Sequence, residues 1–444
     1  MLRDAIEALA TGRISSRELL ERSLAHIEDP AGEGERAFVK LYVDAAREDA
    51  DHSDRLRRRG VVRSPLDGIP VSVKDLFDVG GDVTRAGSVL LNDAPSARHD
   101  AAAVARLRAA GAVIVGRTNM VEFAFGVVGA NPHYGTPANP YQRSIGRVPG
   151  GSSSGAAVAV ADGMCVVALG TDTRGSIRIP AALCGVVGFK PTARRVPRDG
   201  VVPLSYTLDS VGPLADSVVN CALADAILAD ETDAALPQLD VRGLRLLLPR
   251  SSLLEDLDAA VANAFDAAVA TLGRAGARID TVPAPAFDRQ ADYFRDGGFA
   301  GAEAFAIHAR WRDRAGVYDP RVGRRIALGS ALSAADYVEL GRLRNACITE
   351  VNALAAQYDA VLLPSVPCIA PTIAEATAND DDYFRWNSRI LRNAGIVNFF
   401  DGCAVSLPCH APGSAPVGLS VCGTALRDRW ILGVALAIET VLRR

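Results

Sequence analysis

The sequence predicts an α/β fold: a single domain with a mixed, mostly parallel twisted sheet covered by helices on both faces. Three observations carry this. Short apolar runs of strand length alternate with helical patterns along the chain, the layout of one layered structure rather than of beads on a string. No internal repeat and no low-complexity linker divides the 444 residues, so 1–444 reads as one unit. Hydrophobic residues make up 49% and charged residues 23%, ordinary values for a chain that buries a large core.

The elements follow in order. The N-terminus opens on an amphipathic pattern and not on a signal peptide. Ser15-Ser16-Arg17-Glu18 is a capping box before a helix patterned by Leu19, Leu20 and Leu24. The cluster Arg55, Arg57, Arg58 and Arg59 suits a helix C-terminus, where positive charge opposes the dipole. Ile69 to Val73 reads as a strand ended by Lys74-Asp75, Ala101 to Ala110 as a helix stopped by Gly111, and Val113 to Val115 as a strand. Gly126 to Gly151 is a long Gly-, Pro- and Asn-rich loop, a length that usually has a functional reason. Gly155 to Ala161 is a small-residue helix, and Val166 to Leu169 a buried strand followed by the polar run Gly170 to Ser176. Further strands are expected at 244–248, 360–363, 404–407 and 417–421, with helices near 254–273, 333–356 and 428–443. Residues 373–389, with Asp380-Asp381-Asp382, read as an inserted loop whose acidic triplet is solvated.

Composition excludes several classes. The formal net charge of −4 argues against a nucleic-acid partner, because phosphate binding needs a basic surface. No window of about 18 apolar residues lacks a charge or a breaker, so no membrane span is expected. The eight cysteines include no C-x-x-C pair, which points to buried thiols in a reducing cytoplasm and to no metal site. Of the 48 basic residues only Lys40, Lys74 and Lys190 are lysines; all the others are arginine. A position that keeps Lys against such a bias is a candidate for a neutral amine, which arginine cannot supply.

Three segments carry candidate chemistry: Val73-Lys74-Asp75 at a strand end, Gly150 to Gly155 opening a helix, and Gly170 to Arg178 after a buried strand. A Gly/Ser run before a helix can be a simple cap or an anion site. No G-x-x-x-x-G-K-[ST] or G-x-G-x-x-G pattern favours a nucleotide. Gly151-Ser152-Ser153-Ser154-Gly155 also fits the G-x-S-x-G nucleophile elbow, with Ser153 as nucleophile. That elbow needs a strand before it, where Arg147-Val148-Pro149-Gly150 is loop, and a downstream histidine, for which only His308 and His410 remain.

The motifs resemble those of the amidase signature hydrolases. The matching stretches are Leu66 to Asp75, Thr118 to Ala124, the Gly-Gly-Ser-Ser segment, Gly170 to Pro180 and Gly185 to Thr192. The resemblance covers most of the chain and is densest over about 66–213, the signature core. It implies a Ser–cis-Ser–Lys triad: Ser176 as nucleophile, Ser152 as bridging serine in a cis peptide, and Lys74 as base. It implies an oxyanion hole from the backbone N–H groups of Thr173, Arg174, Gly175 and Ser176, and a backbone carbonyl near Ala124 that accepts from the substrate amide. Substrate contacts would then come from Ala124, Ser152 and Arg174. The implied reaction cleaves the carboxamide C–N bond of a small-molecule substrate through an acyl-enzyme, without a metal or organic cofactor.

One departure from the family pattern is Arg174, where glycine is usual. A requirement for φ > 0 would strain it there. Its side chain either reaches the site and favours an anionic or polar group, or points away to a structural carboxylate. Lys190 and Asp172 read as structural residues that bridge loops around the site, and Arg178 as an ion-pair partner. The rival readings are the glutaminase subunit of a tRNA-dependent amidotransferase and a non-catalytic binding member. Against the first, Lys74-Asp75 is followed by Leu76-Phe77, where such subunits typically carry Asn. Against the second stand the intact Lys74, Ser152 and Ser176. Specificity is expected in about 285–400, where Phe384 fits core packing better than a pocket wall; the same holds for Phe125 and Tyr134. A homodimer is possible by base rate.

Overall fold

The computed structural model describes residues 2–232 and 234–443. Among them eleven strands form one sheet: β1 (Phe38–Leu41), β2 (Pro70–Lys74), β3 (Val113–Thr118), β4 (Val167–Asp172), β5 (Val187–Lys190), β6 (Ser210–Ala215), β7 (Arg245–Arg250), β8 (Arg278–Pro283), β9 (Ala360–Pro364), β10 (Cys403–Pro408) and β11 (Gly418–Gly423). Their order across the sheet is β1-β3-β2-β4-β6-β5-β10-β11-β9-β7-β8. The sheet is mixed, as expected, but less parallel than the sequence suggested. Four pairings are parallel, β2 with β3 and β4, and β7 with β8 and β9. The other six are antiparallel. The reason is in the connections. A parallel pair needs a crossover, usually a helix. The chain between β5 and β6, and between β10 and β11, contains no helix, so those neighbours run antiparallel.

Alternation along the strands buries both faces. Val71, Val73, Val167, Leu169, Leu246, Leu362, Val405 and Val421 join one continuous core along the length of the sheet. Their alternates split on the other face: Val113, Val115, Ala168 and Leu214 pack with the helix Ser154–Ala161, while Leu247, Val361, Leu363 and Ala404 pack with Phe287, Phe399 and Phe400. That helix lies against β2, β3 and β4. It can do so because Gly155 has no side chain: a Cβ there would sit 2.2 Å from the Ala37 carbonyl oxygen and 2.7 Å from the Asn119 nitrogen.

Most expected elements occur within a few residues of their predicted ends. The capping box at Ser15 and Glu18 is formed, and the arginine cluster lies at the C-terminus of the helix Val43–Arg58. The reading of 373–389 as a loop is corrected. Two helices lie there, Ile373–Thr377 and Asp380–Leu391. Asn379 Oδ1 accepts from the Asp382 N–H at 2.9 Å, the acidic triplet occupies the first turn, and Tyr383, Asn387, Ile390 and Leu391 form the buried stripe. β6 escaped the sequence reading because Gly212 and Pro213 sit inside it, and such residues argue against a central strand. All eight cysteines are free, and all but Cys409 are buried. No helix among the described residues is long and apolar enough to cross a membrane.

Candidate active site

β2 delivers Lys74. Ser72, two residues before it, contacts Cys165 at 3.3 Å on the face that packs the helix Ser154–Ala161, and alternation places Lys74 on that same face. Ser152 and Ser153 immediately precede this helix. Lys74 Nζ therefore meets Ser152: it donates to Ser152 Oγ at 2.8 Å and also to Thr171 Oγ1 at 2.9 Å. The Lys74 side chain has no accessible surface, and no carboxylate among the described residues pairs with it. Burial pushes its ammonium down to about 7, against the pull of Asp209 and Asp172. The neighbouring Asp75 is committed elsewhere, to Arg117 Nε at 2.7 Å and the Gly87 N–H at 2.9 Å.

The Gly151–Ser152 peptide bond is cis, so the cis bond falls on the serine that touches Lys74. The Ser152 carbonyl accepts the Val121 N–H at 3.1 Å. That ties the helix start to the segment carrying Phe123 and Ala124, two non-glycine residues at φ 48° and 58°. Glu122, between the tie and the strained pair, is buried and holds the segment in place: it accepts from Ser88 Oγ at 2.6 Å and the Asp319 N–H at 2.8 Å. The Ala124 carbonyl accepts no hydrogen bond among the described residues.

The loop after β4 holds Ser176. Ser176 is 3% exposed, and its hydroxyl has no hydrogen-bond partner among the described residues. Its carbonyl accepts the Ser153 N–H at 3.3 Å, which brings the two serine-bearing segments side by side. Asp172 organises the loop. Its carboxylate accepts from the Gly175 N–H at 2.7 Å, the Ile177 N–H at 3.2 Å, Arg178 Nε at 3.0 Å and Asn398 Nδ2 at 2.9 Å. Burial alone would raise Asp172, but Arg178 and its other partners hold it at about 2. The Arg178–Asp172 ion pair is fully buried, and Lys190 Nζ donates to the Pro191 and Gly402 carbonyls at 2.7 and 2.6 Å. Asp172, Arg178 and Lys190 thus have the bridging roles expected of them. Thr173 Oγ1 donates to Asp209 at 2.5 Å.

The backbone of this loop departs from the sequence reading in two ways. The positive φ falls on Gly175, at 121°, and not on Arg174, so Arg174 is unstrained. The Gly175 N–H is spent on Asp172, which leaves the N–H groups of Thr173, Arg174 and Ser176 as the donors of this loop without a partner among the described residues.

Arg174 pairs with no carboxylate among the described residues; its guanidinium lies 3.5 Å from the Phe294 ring centroid. Phe125 and Phe384 line a cavity of about 460 Å³ with it, so both are wall residues and not core packing alone. Tyr134 instead donates to Asn92 at 3.0 Å, away from that cavity. The elbow reading fails on geometry. Ser153 Oγ donates to the Thr171 carbonyl at 3.4 Å; His308 pairs with the Tyr318 hydroxyl at 2.8 Å and His410 with Val417. Sequence reasoning missed Thr171, Asp209, Asn398, Phe294 and Arg325. None lies in a spacing pattern that marks it; Thr171 alone sits within one of the matching stretches.

Known relatives extend over nearly the whole chain. The family model described as Amidase matches residues 18–432. The 2-amino-5-chloromuconic acid deaminase of Comamonas testosteroni is 38% identical over 89% of this chain and 86% of its own. A glutamyl-tRNA(Gln) amidotransferase subunit of Anaeromyxobacter sp. (strain K) is also 38% identical, over 99% of this chain and 96% of its own. A solved structure described as an amidase superposes with a TM-score of 0.87 at 34% identity, covering 99% of both chains.

Proposed function

The chain belongs to the amidase family, and from that premise we propose that it is a free-standing amidase acting on a small-molecule carboxamide through Ser176, Ser152 and Lys74. The observation that carries the reading is the contact of Lys74 Nζ with Ser152 Oγ, 2.8 Å, in a site that has removed the lysine from water. A neutral amine there accepts the Ser152 proton as Ser152 accepts that of Ser176. Ser176 Oγ attacks the carbonyl carbon, and the developing oxyanion takes hydrogen bonds from the unpartnered N–H groups of the 173–176 loop. Such a donor is worth about 10²–10³ in turnover. The C–N bond breaks, the proton returns through Ser152 to the leaving nitrogen, and water then cleaves the ester to release the acid and free Ser176. The Ala124 carbonyl is free to accept from the substrate amide. Leu76-Phe77 after Lys74-Asp75 favours a free-standing enzyme over an amidotransferase component, and the residue types at the three positions disfavour a binding-only role.

The test is the intact mass after treatment with a reactive fluorophosphonate. Wild type and Ser153→Ala are expected to gain one label, and Ser176→Ala none. Loss of label in Ser153→Ala alone would overturn the assignment. Ammonia release from simple amides by the purified chain, without added proteins, separates the free-standing enzyme from a component of a larger complex.

A further inference from the structure

A lysine that serves as the base becomes an ammonium, and Lys74 would carry that charge with no accessible surface and no carboxylate in contact among the described residues. A buried positive charge needs a negative one within reach. Two carboxylates act on Lys74, Asp209 more strongly than Asp172. Asp172 is already neutralised: Arg178 forms a fully buried ion pair with it, and Lys190 adds a second positive charge. Asp209 has no such partner. Among the described residues no basic side chain forms an ion pair with its carboxylate, which is buried.

The pairing of β4 with β6 puts Asp209 there. Asp172 lies opposite Ser210 in that antiparallel pair, so the next residues outward, Thr173 and Asp209, are neighbours across the strand ends. Thr173 Oγ1 donates to Asp209 Oδ1 at 2.5 Å, and the N–H groups of Leu204 and Ser205 donate to Oδ2 at 2.9 and 3.0 Å. Burial raises Asp209 above the ordinary carboxylate range, and these three donors favour the anion against it. Thr171, two residues before Thr173, takes the Lys74 Nζ donor at 2.9 Å. Two residues of backbone span at most about 7 Å, so the two threonine hydroxyls tie the lysine and the carboxylate to one short stretch of chain. Arg198 lines a cavity of about 340 Å³ with Asp209, but it donates to the Tyr206 and Asp209 backbone carbonyls, at 2.8 and 3.3 Å, and not to the carboxylate. Glu303, from the second half of the chain, accepts from Ser205, Thr207 and the Tyr337 hydroxyl, and so fixes the turn that supplies the two N–H donors.

We infer that Asp209 is a positioning residue of the reaction: it holds the start of the Ser176 loop through Thr173, and it supplies the negative charge that balances the Lys74 ammonium as Ser176 attacks. The inference rests on the amidase reading above for the direction of proton transfer, and deepens it by one residue. In the attack the bond from Ser176 Oγ to the carbonyl carbon forms, the Ser176 proton passes to Ser152, and the Ser152 proton passes to Lys74. Positive charge appears on Lys74 in that step alone. A fixed carboxylate nearby stabilises the charged state more than the neutral amine that precedes it, which is the condition for speeding the step. Asp209 does this without touching the substrate.

The chain has only three lysines, Lys40, Lys74 and Lys190, so lysine labelled with ¹³C at Cε gives three NMR signals, and Lys74→Arg identifies the one that matters. Titration of that signal in wild type, Asp209→Asn and Asp209→Glu reads the effect of the charge without any substrate. Removing the negative charge disfavours the ammonium, so the Lys74 midpoint is expected to fall by about one pH unit in Asp209→Asn and to stay near that of wild type in Asp209→Glu. With an amide substrate, the half-point of kcat/KM against pH should fall equally in Asp209→Asn. Its plateau kcat should drop by up to about tenfold, with KM little changed. Thr173→Val, which keeps the charge, is expected to lower kcat without lowering the half-point. An unchanged Lys74 midpoint in Asp209→Asn overturns the inference and leaves the amidase reading standing, with Asp209 serving the loop alone. A lowered midpoint in a protein that hydrolyses no amide supports the link between Asp209 and Lys74 and counts against the amidase reading. If Asp209→Asn fails to fold, Asp209→Ser, also neutral, is titrated in its place.

Discussion

Lys74 ends a central strand with no accessible surface, and burial pushes its ammonium down to about 7 from an ordinary 10.5. If the neutral amine is the base, kcat/KM rises with pH, passes half its plateau near pH 7 and levels off above. Lys74→Arg, which stays charged, is expected to be nearly inactive at every pH. The same burial has a stability signature. Between about 7 and 10.5 the unfolded chain binds a proton that the folded chain has released, so folding stability rises with pH through that window. Denaturant unfolding of wild type and Lys74→Met at several pH values checks this. Wild type should gain on the variant by up to about 1.4 kcal/mol for each pH unit above 7, with no change in their difference below it. Parallel curves would mean that Lys74 is not desolvated. Residues of this kind were legible in the sequence because a lysine in an arginine-rich chain stands out, and because Ser152 and Ser176 lie in long motifs. Arg325 was not legible for the converse reason: among so many arginines nothing in the sequence singles it out as a wall of the cavity.

Elements place these residues. The helix Ser154–Ala161 holds the preceding Ser152 at Lys74 only if it packs backbone to backbone against Ala37 and Asn119, and Gly155 is the point of contact. Neither neighbour is a flexible side chain that could give way. Gly155→Ala is therefore expected to cost about 1–3 kcal/mol of stability from overpacking. It should also lower kcat, because the helix start moves away from Lys74. Unfolding midpoints and turnover of the folded fraction measure the two effects; full activity at unchanged stability would show that the helix tolerates a shift. At this scale the sequence was readable where hydrophobic period and caps agree, as at Ser15 and in the strands at 70–74 and 113–118. It misled where strong acidic charge masked a helix start, at Asp380, and where glycine and proline sit in a buried strand, at Gly212 and Pro213. In both places tertiary burial outweighs the local preference.

At the scale of the whole molecule, the sheet joins two halves of the chain at a single strand pairing. Strands β1 to β6 come from the first half of the chain and β7 to β11 from the second, and the two sets meet only where β5 pairs with β10, Gly188 to Lys190 against Ser406 to Ala404. No sequence pattern announces that seam, since strand neighbours so far apart in the chain leave no local trace. Lys74, Ser152 and Ser176 all lie in the first half, yet the loop that holds Ser176 depends on the second. Asn398 donates to the Asp172 carbonyl at 3.0 Å and to its carboxylate at 2.9 Å, and accepts from Arg178 at 2.7 Å. The cavity is shared in the same way, with Arg174 and Phe125 from one half and Phe294 and Arg325 from the other. A chain cut after the exposed Thr232 tests this dependence. Residues 1–232 alone retain all three candidate catalytic residues but expose the β5 edge, which invites aggregation, and lose Asn398. That fragment is expected to take no fluorophosphonate label at Ser176. Co-expression with residues 233–444 should restore labelling in a complex of both fragments, because the seam is non-covalent and both sheet faces are apolar. Labelling of the first fragment alone at the rate of the intact chain would show that the 173–176 loop is organised without the second half, and the role given to Asn398 would fall.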